Sequence, residues 1–451
     1  MEQKKKIDMT TGPIMKNVFL FAVPIVLGNI LQYLYTTVDT LIVGNYCGKT
    51  SLAAVGTSAQ PVEVLLCIFL GIGTGVSILV SQYAGAEDME KMRRAVDTAT
   101  FFVFVCGIPL CVIGYFAAPL ILKGMGVPAD TWDAAVSYTR IVFFGALGNI
   151  GYNMNAGILR GMGDSKASLW FLVVSCITNI VLDYLFVAKL GMDVGGAALS
   201  TTLAMYLSWV ISIVYIRKKF PELELSYLPK GVDLKELKQI VLIGLPIGLN
   251  NSLYSLGHVA IQTLVNAQGS SFMAANSVAG RVTGLTNVAI TALSSAATTF
   301  SGQNFGAKNF DRLRKGYIRI PVVSGMITLA AGLCMISFRM PILRIFTPEE
   351  EVLMYAGRYV VVMLLSQWFY AIFNGIICIV NGVGLIRYST VVNILMLWAV
   401  RIPSAYLIDR YFDGTYLMLC FPISFSFGMV MMIGYYVFSK KWKEIINTGK
   451  A

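Results

Sequence analysis

Apolar runs of roughly 20 to 30 residues alternate along the chain with short polar or basic breaks, and runs of that length cross a bilayer core as helices, some of them tilted. Twelve spans are predicted, at 14–43, 52–83, 95–122, 132–160, 167–189, 194–216, 239–266, 272–304, 315–338, 352–380, 386–410 and 415–438. The expected fold class is therefore all-α, an integral membrane protein with twelve transmembrane helices. The first span follows a basic tail as a signal peptide does. Its apolar run is too long for one, and no small-residue cleavage site follows, so it is expected to stay as an anchor.

Composition agrees with the pattern. Of 451 residues, 56% are hydrophobic and 13% charged, against about a quarter charged in a soluble domain. The net charge of +11 needs no nucleic acid to explain it, because the basic residues fall in alternate breaks. Breaks on one side hold 25 of the 35 Lys and Arg, from Lys4, Lys5 and Lys6 through Lys230 in the 217–238 segment to Lys450. The opposite breaks hold six: Lys49, Lys123, Lys189, Arg339, Arg344 and Arg410. Basic loops stay inside, so both termini are expected in the cytoplasm and the chain in the inner (plasma) membrane. The eight cysteines are scattered without a metal-like spacing and read as packing residues.

The chain also repeats itself. Gln82-Tyr-Ala-Gly85-Ala86 recurs in the second half as Gln303-Asn-Phe-Gly306-Ala307. At the same spacing Arg160-Gly161-Met-Gly163 matches Asn381-Gly382-Val-Gly384, while Pro24-Ile-Val-Leu returns as Pro246-Ile-Gly-Leu one residue out of step. Six spans per half is an even number, so the halves are parallel repeats related by an axis along the membrane normal. The domains expected are a lobe over 1–216, a cytoplasmic linker over 217–238 with Pro221 and Pro229, and a second lobe over 239–451.

Two acids stand out inside the spans. A carboxylate at membrane depth is costly unless protonated, paired or hydrated, and marks ion or proton handling by default. Asp39 shares a helical face with Gln32, Tyr35 and Thr36, and Asn179 and Asp183 form an i, i+4 pair. With Thr201 on the sixth span, these residues are expected to form one oxygen-rich layer in the first lobe. An aspartate near a helix end also serves as a cap or sits in solvent, and Asn and Thr often only bridge helices. The duplicate positions are Ser404 for Asp183, Val400 for Asn179 and, with the slip, Ile261 for Asp39. The second half thus keeps the frame without the carboxylates, which favours a specialised role for the acids. His258 is the only histidine and builds no metal site alone. Arg281 and Arg401 are expected to face the bundle interior or snorkel. Gln32, Tyr35, Asn153, Tyr254, Gln262, Trp368 and Tyr370 are candidates for a substrate cavity, and Gly161-Met-Gly163-Asp164 follows no strand and is rejected as a phosphate loop.

The series Pro24, Gln32, Asp39 and Gly44, then Gln82-x-x-Gly85-Ala86, Arg160-Gly161-x-Gly163-Asp164-x-Lys166, Asn179-x-x-x-Asp183 and Gly196-Ala197-Ala198-x-x-Thr201 resembles the multidrug and toxic compound extrusion (MATE) family, in its bacterial or archaeal type with an N-lobe cation site. The resemblance covers nearly the whole chain. It implies the fold of the multidrug/oligosaccharidyl-lipid/polysaccharide superfamily and a monomeric secondary antiporter that exports organic, often cationic, compounds against entry of Na+ or H+. It also places the cation at Asp39, Asn179, Asp183 and Thr201, which would be metal ligands if the ion is Na+. Another branch of the family carries acids in the seventh and tenth spans. Here Tyr254 and Phe369 or Tyr370 stand near those places, so a C-lobe cation site is not expected. No cofactor is implied. The competing function is a lipid-linked saccharide flippase, which Arg281 and Arg401 keep open. A membrane-embedded enzyme is disfavoured by the single histidine, and a channel by the lack of a repeated filter segment.

Overall fold

The computed structural model describes residues 7–129, 131–226, 228, 231–412 and 414–448, without the side chains of 40, 48–54, 56–61, 414 and 448. Lys4, Lys5, Lys6, Pro229, Lys230, Lys450 and the side chain of Lys49, which enter the charge and linker readings, lie outside the described residues.

Each predicted span falls on a helical segment, with ends that differ by at most six residues. In the first half these are α1 (Ile14–Tyr46), α2 (Gly48–Gly85), α3 (Met89–Gly124), α4 (Trp132–Gly161), α5 (Ser165–Asp183) and α6 (Asp193–Lys219). In the second half α7 (Leu234–Ala267), α8 (Ser270–Gly306) and α9 (Phe310–Ser337) are followed by the short α10 (Arg339–Arg344) and by α11 (Glu350–Gly382). The eleventh span is α12 (Ile386–Ile394) joined through a π-helical segment, Leu395–Arg401, to α13 (Ile402–Tyr411). Next come α14 (Cys420–Phe438) and α15 (Lys440–Thr448). Among the described residues, ten segments are both long and apolar enough to cross a membrane. The other two, α4 and α8, are 30 and 37 residues long but less apolar. Helices flanked by other helices bury small and polar residues instead of facing lipid, and α4 does so with Gly145, Gly148, Gly151, Asn155 and Gly157.

The duplication is visible in the backbone. Glu87 and Lys308, at equivalent places in the repeat, both take φ of 55° in the turn before a helix. The next residues, Asp88 and Asn309, cap α3 and α9 by accepting the N–H of Lys91 and Arg312. Gly163 and Gly384 close α4 and α11 at φ of 89° and 90°, a left-handed conformation that favours glycine. Asp164 then caps α5 and is bound by Lys219 at 2.7 Å and by Tyr215 at 2.8 Å, so this glycine turn is a structural joint.

Two compact units result. The first is Val23–Asn251 together with Ile7, whose N–H donates to the Gly163 carbonyl. The second is Asp8–Ala22 with the described residues from Ser252 on. These units cut α1 and α7 internally, whereas the sequence duplication suggests a division in the 217–238 linker. The physical reason in unit 1 is glycine packing: a Cβ on Gly71 of α2 would fall 2.1 Å from the Gly248 nitrogen of α7, and one on Gly75 would fall 2.8 Å from the Gly244 Cα. Glycines four apart on both helices let the backbones touch, which fastens the first half of α7 to α2. Tyr83 adds a hydrogen bond to Glu236 at 2.9 Å.

In unit 2 the reciprocal piece, Asp8–Ala22, is held by its backbone. Arg312 donates to the Met9 and Thr11 carbonyls at 2.9 and 2.8 Å and to the Gly12 carbonyl, while Asn304 and Gln303 take the Met9 carbonyl and N–H. Burial opposes charge on Asp8, yet hydrogen bonds from Thr10 and Thr11 and the nearby Arg312 hold its carboxyl below the ordinary value. All eight cysteines are free.

Candidate functional site, a pair of carboxylates in unit 1

Asp183 is the last α-helical residue of α5, and the chain continues as a π-helical turn, Tyr184–Lys189. Such turns widen a helix locally and recur at functional sites. Gly196 of α6 fits against Phe186 of this turn, where a Cβ would lie 3.1 Å from the Phe186 Cβ. One turn further along α6, Ser200 meets Asp183.

The carboxyl groups of Asp39 and Asp183 are close neighbours. Asp183 is fully buried and its Oδ1 accepts from the Ser200 hydroxyl. That hydroxyl also lies 2.8 Å from the Gly196 carbonyl and 3.1 Å from the Ala197 carbonyl, so one proton faces three acceptors. Asn179, 2% exposed, donates to Thr201 Oγ1 at 3.2 Å. Tyr35 and Gln32 lie together beside the pair, and Tyr138 of α4 is near it. A small cluster of Val43, Val187, Val194 and Ala197 packs next to these residues.

The polarity of the site is one-sided. Asp39 Oδ1, Asp183 Oδ2 and Asn179 Oδ1 are all buried, and no protein donor among the described residues reaches them. Acceptors enclosed without donors are costly, and two adjacent carboxylates repel. A proton or a hard cation offsets both penalties, and the available oxygens suit either. Among the described residues no three His, Cys, Asp or Glu lie together, so two acids plus neutral oxygens are the available donor set.

Unit 1 also contains a cavity of about 510 Å³. Its walls come from α1, α2, α4 and α5 with Met205 of α6, and it shares Tyr138 with the carboxylate pair. Gln32 and Asn153, both proposed from the sequence, line it, whereas Tyr35 stands beside the acids. Two residues escaped the sequence reading. Ser200 lay next to the chosen Thr201, and only the facing of α6 toward α5 separates them. Glu63 lines the cavity and lies inside the second span, so the rule that singled out the two aspartates applies equally to it.

The other candidates lie in unit 2, where Tyr254, Tyr370 and His258 gather around Arg401 while Trp368 and Gln262 have other partners. Arg401 is fully buried. It donates to Ser424 and Tyr254, each at 2.9 Å, and its guanidinium lies 5.3, 5.0 and 4.9 Å from the ring centres of Tyr254, Phe421 and Phe425. Tyr370 packs on Phe425, and His258 packs on Tyr254. Trp368 lies against Phe369, while Gln262 bonds Asn266 and Asn276. At the positions equivalent to the acids, Ile261 is 5% exposed and Ser404 donates to the Arg401 carbonyl of its own helix.

A family model, MatE, matches the chain twice, over residues 24–185 and 246–407, two stretches of equal length. Among curated proteins, the probable multidrug resistance protein YoeA of Bacillus subtilis is 31% identical over 95% of both chains. The probable multidrug resistance protein YpnP of the same organism is 28% identical over 98% of both. A crystal structure described as MATE in the bent conformation superposes with a TM-score of 0.89 over 99% of this chain and 100% of that one, at 23% identity. The chain, with its doubled helical frame, belongs to the MATE family of multi-pass membrane transporters.

Proposed function

We propose that this transporter is a secondary active antiporter that exports organic, cationic, drug-like compounds in exchange for H+ or Na+. The observation that carries the reading is the enclosed set of donor-less oxygens on Asp39, Asp183 and Asn179. A site of this polarity is stable when it holds a proton or small cation and strained when it is empty. Binding from the side of high cation potential and release to the other side therefore supply the work for moving a second solute. Asp39, Asn179, Asp183 and Thr201 hold the coupling ion, with Ser200 steadying Asp183. The names of the similar proteins, multidrug resistance proteins, support drug-like cargo. The basic inside breaks support cytoplasmic termini in the plasma membrane, and the transporter acts as a monomer with two repeat lobes around the 217–238 linker.

Purified protein in proteoliposomes tests this. Transport of a fluorescent cation such as ethidium is followed while a Na+ gradient and a pH gradient are imposed separately. One gradient should accelerate transport and its collapse should stop it. Transport indifferent to both gradients would refute antiport.

A further inference from the structure

Glu63 is the one carboxylate among the residues lining the unit 1 cavity, and it is an exposed residue. Val62 packs with Phe143 of α4 in one cluster, so Glu63 stands at the level of Val142 and Phe143. The cavity's single guanidinium, Arg160, lies on α4 about 26 Å beyond that level at the helical rise per residue. That is several times the reach of a salt bridge, and no ion pair of Glu63 occurs among the described residues. An acid at membrane depth that faces a cavity instead of a protein cation calls for a counter-charge from a ligand.

The two acidic places in unit 1 differ in the size of cation they accept. The Asp39–Asp183 pair offers buried acceptor oxygens, which suit a proton or a bare ion. Glu63 opens on a space of about 510 Å³, within the range that encloses a drug-sized molecule. Leu66, Leu70, Leu169 and Leu172 give that space apolar walls, and Tyr138 and Tyr152 give it aromatic ones. An apolar and aromatic wall around one carboxylate suits an amphiphilic organic cation, a protonated amine or quaternary ammonium on a hydrophobic body. The second half offers no equivalent, since Gly284 and Leu285 stand at the positions that correspond to Glu63 without and with the slip.

We infer that Glu63 is the specificity residue of this transporter: its carboxylate receives the positive group of the organic cargo, while the aspartate pair receives the coupling ion. The inference rests on the proposed export of organic cations, and the two are separable by experiment. Ethidium binding is measured by fluorescence anisotropy on the purified full chain in detergent, with no gradient present. Glu63→Gln should weaken binding at least tenfold, and Glu63→Asp, which keeps the charge, should recover most of it. Both variants should keep the wild-type unfolding temperature, and their response to a coupling-ion gradient should keep its direction. If Glu63→Gln binds ethidium as wild type does, or if Glu63→Asp is as impaired as Glu63→Gln, the assignment is overturned and the antiport reading stands. If wild-type transport ignores both gradients while Glu63→Gln still loses binding, antiport fails and the Glu63 assignment survives.

Discussion

Ser200 carries one proton in front of three acceptors: the Asp183 carboxylate and the carbonyls of Gly196 and Ala197. When the hydroxyl turns to Asp183 it stabilises the bare carboxylate, and when it turns to its own helix it leaves Asp183 to a proton or cation. Ser200→Ala removes the first option at a cost of about 1 kcal/mol to the emptied site. The coupling ion should then bind roughly fivefold tighter and leave more slowly. Export by this variant should half-saturate at a lower Na+ or proton concentration and reach a lower maximum rate. An unchanged half-saturation would remove Ser200 from the site. The aspartates themselves were legible in the sequence because a carboxylate in an apolar run is conspicuous whatever it touches. Ser200 was not, because serine is ordinary in a helix and only the packing of α6 on α5 gives it a role. Glu63 was legible by the same rule as the aspartates and stands out fully only once a cavity opens beside it.

At the scale of helices, apolar runs located the spans approximately, because a bilayer demands long apolar segments, and α4 and α8 are the two that fall short of that demand. Features set by packing did not announce themselves. The π-helical segments Tyr184–Lys189 and Leu395–Arg401 occur in stretches whose composition is ordinary for a span. The helix α15 is short and lysine-rich, yet it buries Trp442, Ile445 and Ile446, with Trp442 stacked on Tyr436. The division of α7 between units depends on contact of backbones at Gly71, Gly75, Gly244 and Gly248. Adding a methyl group at that crossing forces the helices apart, so Gly71→Ala should destabilise the protein by about 2 kcal/mol or more. Gly280 of α8 provides the control, because a Cβ there meets nothing within 4 Å. Gly280→Ala should leave stability unchanged or raise it by about 0.5–1 kcal/mol through helix propensity. Thermal unfolding of the two variants in detergent decides. Equal tolerance of both would show that the glycine crossing is not a tight contact in the native protein.

For the whole molecule, the duplication supplies its own control. The two matches to the family model are of equal length, and the paired turns at Glu87 and Lys308 and at Gly163 and Gly384 show that one frame was used twice. Only the first copy holds the carboxylates, and the second buries Arg401 among aromatic rings in the corresponding region. Asp183→Asn should therefore remove the response to the coupling gradient, whereas Ser404→Ala, which loses only a hydroxyl bonded to its own helix, should keep it. Uncoupling by Ser404→Ala with coupling intact in Asp183→Asn would move the ion site to the second half.

The central claim is that a titrating or cation-binding carboxylate pair drives export, and Asp39→Asn in proteoliposomes tests it most directly. The amide keeps the size and hydrogen-bonding capacity of the side chain and removes its charge. With the effective gradient imposed on protein of wild-type stability, the account predicts that ethidium transport falls to the level seen with no gradient. Gradient-driven transport at the wild-type rate in Asp39→Asn would contradict it.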